Sequence, residues 1–275
     1  MSKIDLHSHT NYSDGIHSPA ELVEQASQNN ITTLAITDHD SVNGIKEAII
    51  AGNDFGVRIV PGVELSTDVD DRDVHLLGLF LDIEDEELLK YLEFFQDERL
   101  YRAKRIVRKL NGMGHTISID DVLAYAKNSA VGRPHIALAM IDRGIISGFY
   151  EAFHKYIGDY GPAFERKIHV SPKSALKIIA DAGGLSFVAH PGHMSEHILT
   201  TLIKSGVDGI EVVHPSHKEF QVRFYRGIVN QYCLLETGGS DFHGGGKDDG
   251  KNFGKYYISQ SKFDAMQKML HRNSA

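Results

Sequence analysis

The sequence predicts an α/β protein: a barrel of seven strand–helix units with an all-helical subdomain inserted into it. Three observations predict this. Seven short apolar runs alternate with helical patterns along the chain, the order that produces a mostly parallel sheet with helices outside. Residues able to bind metal ions sit almost without exception at the C-terminal ends of those runs, the rim on which barrel enzymes carry their chemistry. Between the fourth and fifth runs the alternation stops, and residues 84–168 read as helices alone.

The first strand is expected over 3–6. Ser18-Pro19 with Glu21 behind it opens a helix, because a serine hydroxyl caps free backbone N–H groups and proline suits the first helical position. A strand over 33–36, a helix over 42–55 and a strand over 58–63 follow. The fourth strand, 74–80, comes after an acidic turn short enough for a hairpin, so it is expected to run antiparallel. The late units are a helix opening at Ser171-Pro172 with a strand over 185–189, a helix over 196–205 with a strand over 209–213, and a helix over 218–230 with a strand over 233–237.

Within the interruption, 84–112 reads as a long charged helix with apolar positions at Leu88, Leu92, Phe95, Ile106, Val107 and Leu110. Further helices are expected over 118–128, 133–142 and 149–156, with Pro134 in the first turn of the second. The predicted domains are therefore a barrel of residues 1–83 and 169–275 and a helical insertion of residues 84–168. The insertion leaves from the rim that carries the chemistry, which predicts a lid concerned with substrate recognition.

Of 275 residues, 41% are hydrophobic and 24% charged, the balance of an ordinary soluble chain with one large or two smaller domains. A formal charge of −8 speaks against passive wrapping of nucleic acid or a stable complex with it. It leaves phosphate-bearing substrates open, because bound cations invert the local field. Cys233 is the single cysteine; its apolar run, Tyr232-Cys233-Leu234-Leu235, predicts a buried inert thiol in a reducing compartment. With no apolar targeting segment and no stretch near a membrane span, the chain is expected to be cytoplasmic, with no membrane partner. The oligomeric state is not legible.

The metal-ligating candidates are His7, His9, Asp14, His39, Glu64, His75, His190, Asp241 and His243. Nine such groups exceed the shell of one ion and would fill those of two or three, leaving places for water. His7-Ser8-His9 puts two imidazoles on one side of an extended segment. Thr37-Asp38-His39-Asp40 sets a histidine between carboxylates, of which one can ligate while its neighbour orients imidazoles. Glu64 ends a buried apolar strand, where a carboxylate needs a cation, and a position bridging two ions satisfies both of its oxygens. Each of these residues alone could be a core histidine or a capping aspartate; their gathering at strand ends is what predicts a metal cluster.

The order H-x-H, Y-S-D-G, T-D-H-D, G-V-E, an isolated histidine, G-R-P-H, A-H-P and S-D-F-H resembles the polymerase and histidinol phosphatase (PHP) family of phosphoesterases, from His7 to about Tyr257. The resemblance implies a distorted seven-stranded (β/α) barrel and a trinuclear site. Carried over, His7, His9, Glu64 and Asp241 hold one ion, Glu64, His75 and His190 a second, and Asp14, His39 and His243 a third. The helical insertion with Gly132-Arg133-Pro134-His135 is most similar to the branch containing nucleoside 3′,5′-bisphosphate phosphatases and a 5′-to-3′ exoribonuclease of short RNA. That makes Arg99, Arg102, Arg133, His135 and His193 the expected substrate-binding residues, and Asp14, Arg133 and His135 the expected catalytic ones. His214 is expected only as a supporting or product-contact group. Arginine presents a planar fork of donors to phosphate oxygens, and Arg133 precedes a proline-initiated helix whose free N–H groups favour an anion.

The implied chemistry is hydrolysis of a phosphate monoester of a small nucleotide, or of short 5′-phosphorylated RNA, by a metal-activated water. The ions are Mn²⁺, with Fe²⁺ or Zn²⁺ as alternatives. A histidinol-phosphate phosphatase is the rival within the family. An amidohydrolase barrel also starts with H-x-H, but does not account for Asp14, His39, His75 and His243. A catalytically silent metal-binding module would be expected to have lost ligands.

Overall fold

The computed structural model describes residues 2–70, 72–127, 129–168, 170–245 and 249–273. They form two compact units, one of residues 1–89 and 169–275 and the other of residues 90–168.

The first unit holds one sheet in the spatial order of the chain: β1 (Lys3–Asp5), β2 (Ile31–Ile36), β3 (Arg58–Val69), β4 (Arg72–Leu79), β5 (Leu185–Val188), β6 (Gly209–Val213) and β7 (Leu235–Gly238). Neighbours are parallel except that β4 pairs antiparallel with both β3 and β5. The ring closes at its rim, where Leu6 N–H donates to Gly238 O at 3.1 Å, Asp241 N–H to His7 O at 3.0 Å and His9 N–H to Phe242 O at 2.9 Å. The fold is thus the expected distorted seven-stranded barrel. Its distortion is β4: a strand entered by hairpin presents its beginning to the rim where the other six end, as expected for His75 near its start.

Helices α1 (Pro19–Gln28), α2 (Ile45–Phe55), α7 (Pro172–Asp181), α8 (Glu196–Lys204) and α9 (Glu219–Gln231) connect these strands. Their starts follow the expected local chemistry. Ser18 and Glu21 form a reciprocal capping box with Pro19 inside it, and Ser171 and Ser195 cap α7 and α8 through their side chains. One buried cluster joins Ile4, Leu6, Ala35, Val60, Leu77 and Phe187 of the strands and their ends to Phe263 and Met266 of the last helix, α10 (Gln260–Asn273), which the hydrophobic pattern did not reveal.

Two boundary differences change how a singled-out residue is read. The third strand continues to Val69 because eight of its residues pair with β4, so Glu64 lies inside a strand rather than at its end. The last strand begins at Leu235, after a left-handed residue at Cys233 (φ 54°) breaks the extended run. Cys233 is accordingly exposed, not the buried thiol its apolar neighbours predict. No described helix is long and apolar enough to cross a membrane.

The second unit contains most of α3 (Glu86–Gly112), then α4 (Ile119–Ala126), α5 (Arg133–Asp142) and α6 (Phe149–Ala152), the last continuing into a π-helical turn at Phe153–Ile157. It has its own core, in which Ala103, Ile106 and Leu110 pack with Val122, Ile136 and Met140. Of the six apolar positions read for the long helix, Phe95 alone is only half-buried; the other five are buried. The described elements of this unit are helices, and it starts at Lys90, where the sequence predicts an insertion of residues 84–168.

Candidate metal centre

The sheet brings all nine candidate ligands together. They fall into groups whose ligand atoms lie within 4.8 Å of one another: His9, Asp14, His39 and His243; His7, Glu64 and His190; and His39, Glu64 and His75. A fourth group joins His7 and Asp241 to His214.

Glu64 is the hub. Its Oε1 is 2.8 Å from His75 Nδ1 and 2.9 Å from His190 Nε2, while Oε2 is 3.2 Å from His9 Nε2 and His39 Nδ1 and 3.3 Å from His7 Nε2. The two oxygens of one buried carboxylate thus address two separate sets of imidazoles, the geometry of a bridge. Asp241 Oδ1 is 3.1 Å from His9 Nε2 and 3.3 Å from His7 Nε2. Asp14 Oδ1 is 3.2 Å from His243 Nε2 and 3.9 Å from both His39 Nε2 and His9 Nδ1.

These donors fit divalent cations. The buried ring nitrogens His9 Nε2, His39 Nδ1 and His243 Nε2 make no hydrogen bond among the described residues, although carboxylate oxygens stand beside each. Buried polar atoms aimed at one another and left unbonded are costly unless a cation takes their lone pairs. Burial pushes His39 down to about 3, past the raising pull of Glu64 and Asp14. Burial works to raise the Glu64 carboxyl, but His39, His75 and His7 outweigh it and hold Glu64 well below the usual carboxylate range.

The local backbone is shaped to serve this cluster. Asp40 (φ 49°), His190 (φ 27°) and Asp241 (φ 49°) are non-glycine residues in the left-handed region, and two of them are ligand candidates. Each such residue costs roughly 1–3 kcal/mol and persists where its surroundings enforce it. Asp40 N–H donates to Glu64 O at 3.0 Å and its Oδ1 accepts from Ser66 N–H at 3.1 Å, pinning the 38–41 turn to β3. Asp38, by contrast, accepts from Thr10 N–H, Thr10 Oγ1 and Ser13 Oγ at 2.6–2.7 Å, so of the two aspartates that flank His39 it orients the loop after His9.

Three supporting carboxylates were not singled out in the sequence. Glu211 of β6 lies 3.0 Å from His7 Nδ1 through Oε1 and accepts His190 N–H at 2.7 Å through Oε2. A carboxylate on the far nitrogen of a ligating imidazole fixes its tautomer and raises its basicity. Asp5 accepts from Ser240 N–H and His7 N–H, and its burial raises it to about 7. Asp249 accepts from His243 N–H and, at 2.7 Å, from Gly245 N–H. For Glu211 and Asp5 the available signal is a lone acid in an apolar run, Gly209-Ile210-Glu211-Val212-Val213 above all, whereas Asp249 lies in a glycine-rich polar loop that offers none.

The expected substrate residues lie in the helical unit, except His193, whose side chain lies outside the described residues. Arg133 Nη1 donates to Asp159 Oδ1 at 2.6 Å and to Ile157 O at 3.3 Å, and its guanidinium lies over the Phe153 ring at 5.8 Å. His135 is buried, and its Nδ1 accepts Gly132 N–H at 3.1 Å, so the neutral ring carries its proton on Nε2. Arg102 is buried and its Nε donates to Glu165 O at 2.8 Å, a tie to the segment after the π turn. Arg99 is half-buried on α3.

Residues 5–167 match the PHP domain family, more than half of the chain. The chain belongs to the PHP family. It is 30% identical over 260 residues to a 3′,5′-nucleoside bisphosphate phosphatase of Chromobacterium violaceum, covering 91% of each chain. It is 32% identical over 247 residues to a 5′-3′ exoribonuclease of Haemophilus influenzae, covering 88% of this chain and 90% of that one. A crystal structure of a candidate metal-dependent phosphoesterase from Bifidobacterium adolescentis superposes with a TM-score of 0.88 at 31% identity, over 97% of this PHP chain and 96% of the other. This PHP chain is an enzyme, a hydrolase, and the residues assembled above are its candidate metal centre.

Proposed function

We propose that the chain is a metal-dependent phosphoesterase whose substrates are phosphate monoesters of nucleotides, nucleoside 3′,5′-bisphosphates first and short 5′-phosphorylated RNA second. The observation that carries this reading is the Glu64 carboxylate, divided between two sets of imidazoles, in a chain that aligns along 91% of its length with a bisphosphate phosphatase. The exoribonuclease relative is what favours RNA as the second substrate.

In this reading His7, His9 and Asp241 share Glu64 with His75 and His190, and Asp14, His39 and His243 complete a third position. Bound there, divalent ions, Mn²⁺ in this proposal, supply Lewis acidity toward phosphoryl oxygens and a water acidic enough to attack near neutral pH. Glu211 keeps His7 in the tautomer that turns Nε2 toward Glu64 and Asp241. Arg133 neutralises charge on a phosphate, and His135, with its proton on Nε2, is a donor for a phosphate or leaving oxygen. A cytoplasmic setting fits a chain whose single cysteine is exposed.

Phosphate release, with mononucleotide release as the readout for RNA, tests the reading. Chelator-stripped protein is expected to be inactive and to regain turnover with Mn²⁺. Across adenosine 3′,5′-bisphosphate, AMP, histidinol phosphate and a 5′-phosphorylated RNA trimer, the bisphosphate should give the highest kcat/KM. Preference for histidinol phosphate would refute the nucleotide assignment, and full activity after verified metal removal would refute the mechanism. Arg133→Ala should lower kcat/KM for the bisphosphate by about 30- to 1000-fold, the loss of one charge-assisted phosphate contact, with metal content unchanged. A generic aryl phosphate should lose less, because it lacks the second phosphate. Equal losses on both substrates would restrict Arg133 to the reacting phosphoryl group.

A further inference from the structure

His214, just past β6, is not among the nine residues, yet it reaches the cluster. Its Nε2 lies 3.3 Å from Asp241 Oδ2, the oxygen opposite the one that faces His7 and His9. Its Nδ1 faces Ser216, with the backbone N–H at 3.1 Å and Oγ at 2.8 Å. The side chain is 7% exposed.

By distance alone His214 could be a tenth ligand, since its ring nitrogen lies within 4.8 Å of ligand atoms of His7 and Asp241. The hydrogen bonds decide against this. A backbone N–H can only donate, so Nδ1 of His214 must present its lone pair to Ser216, and a neutral imidazole then carries its single proton on Nε2. A protonated Nε2 has no lone pair for a metal, and what it faces is a carboxylate oxygen.

We propose that His214 is a positioning residue that donates its Nε2–H to Asp241 Oδ2, so that Asp241 offers the metal centre Oδ1 alone. The inference rests on the metal-centre reading and adds to it the residue that sets how Asp241 binds. Asp241 stands on a strained left-handed backbone (φ 49°) between the end of β7 and His243, and its carboxylate would otherwise be free to turn about Cβ–Cγ or to chelate through both oxygens. With Glu211 orienting His7, the β6 end supplies the groups that hold a histidine of β1's end and an aspartate of β7's end in register. Partners that orient a ligand in this way are worth 10- to 100-fold in metal affinity.

The test uses the full chain, stripped of metal and titrated with Mn²⁺ by calorimetry in the absence of substrate. His214→Ala should weaken Mn²⁺ binding by about 10- to 100-fold. His214→Gln, whose amide N–H₂ can replace the Nε2–H, should restore it to within about threefold. In the wild type, ¹⁵N NMR should show His214 protonated at Nε2 and not at Nδ1, both before and after loading with diamagnetic Zn²⁺; the His214→Gln spectrum assigns the signal. Loss of the Nε2 proton on Zn²⁺ loading would overturn the proposal in favour of a tenth ligand. Unchanged Mn²⁺ affinity in folded His214→Ala would overturn it in favour of a bystander. Should His214→Ala fail to fold, the wild-type spectrum decides alone. A wild-type chain that binds no Mn²⁺ would instead remove the metal-centre reading on which the proposal stands.

Discussion

Replacing Glu64 with Gln is expected to abolish tight divalent-metal binding and to lower kcat/KM by at least about 10³-fold while leaving the protein folded. The substitution keeps the shape of the side chain and removes its charge. It also turns one of two equivalent acceptors into an N–H₂ group. Whichever end becomes the amide, two or three imidazole nitrogens now face a donor: His75 and His190 on one side, or His7, His9 and His39 on the other. A cation between that end and its imidazoles meets positive hydrogens where it had a carboxylate oxygen, and the bridge is lost. Metal analysis after dialysis together with far-UV circular dichroism checks the result. A folded Glu64→Gln protein with wild-type metal content and turnover would remove Glu64 from the centre and, with it, the two-sided site.

How much of this was legible depended on whether a feature is local. Most of the ligand candidates are legible because they follow a strand whose end is marked by its own composition, and because the ends of six parallel strands in one sheet share a rim. The antiparallel fourth strand could be read from a turn too short for a crossover. Local composition ends the third strand at Glu64, whereas β3 runs five residues further; its length is set by pairing with β4, which no local pattern records. The apolar residues around Cys233 predict a core position, but a left-handed backbone turns it to solvent before Leu235 begins the strand. The roles of Glu211 and Asp5 are not legible for a related reason. A lone acid in an apolar run shows only that it must have a partner, and those partners are His7 and His190 for Glu211 and the Ser240 and His7 amides for Asp5, brought close by ring closure.

That closure can itself be broken. Gly239→Val is expected to lower the melting temperature by roughly 5–10 °C and to cost the protein its metal, although Gly239 touches no ion in this reading. Gly239 lies where the chain leaves β7 and passes against the first strand. A Cβ there would stand 2.4 Å from His7 N, 2.6 Å from His7 Cβ and 2.7 Å from Asp5 Oδ1. None of these atoms is the far end of a flexible side chain. Two belong to or adjoin the backbone, and the third is a buried carboxylate held by Ser240 N–H and His7 N–H. The clash must therefore separate the rim hydrogen bonds that join Leu6 to Gly238 and His7 to Asp241. Overpacking of this kind costs about 1–3 kcal/mol or more, and here it displaces two ligand-bearing segments at once. Measuring thermal unfolding and Mn²⁺ binding on the same sample separates the two effects. A Gly239→Val protein with native stability and native affinity would mean that this seam is loose, contrary to a site whose geometry is fixed by closing the barrel directly beneath it.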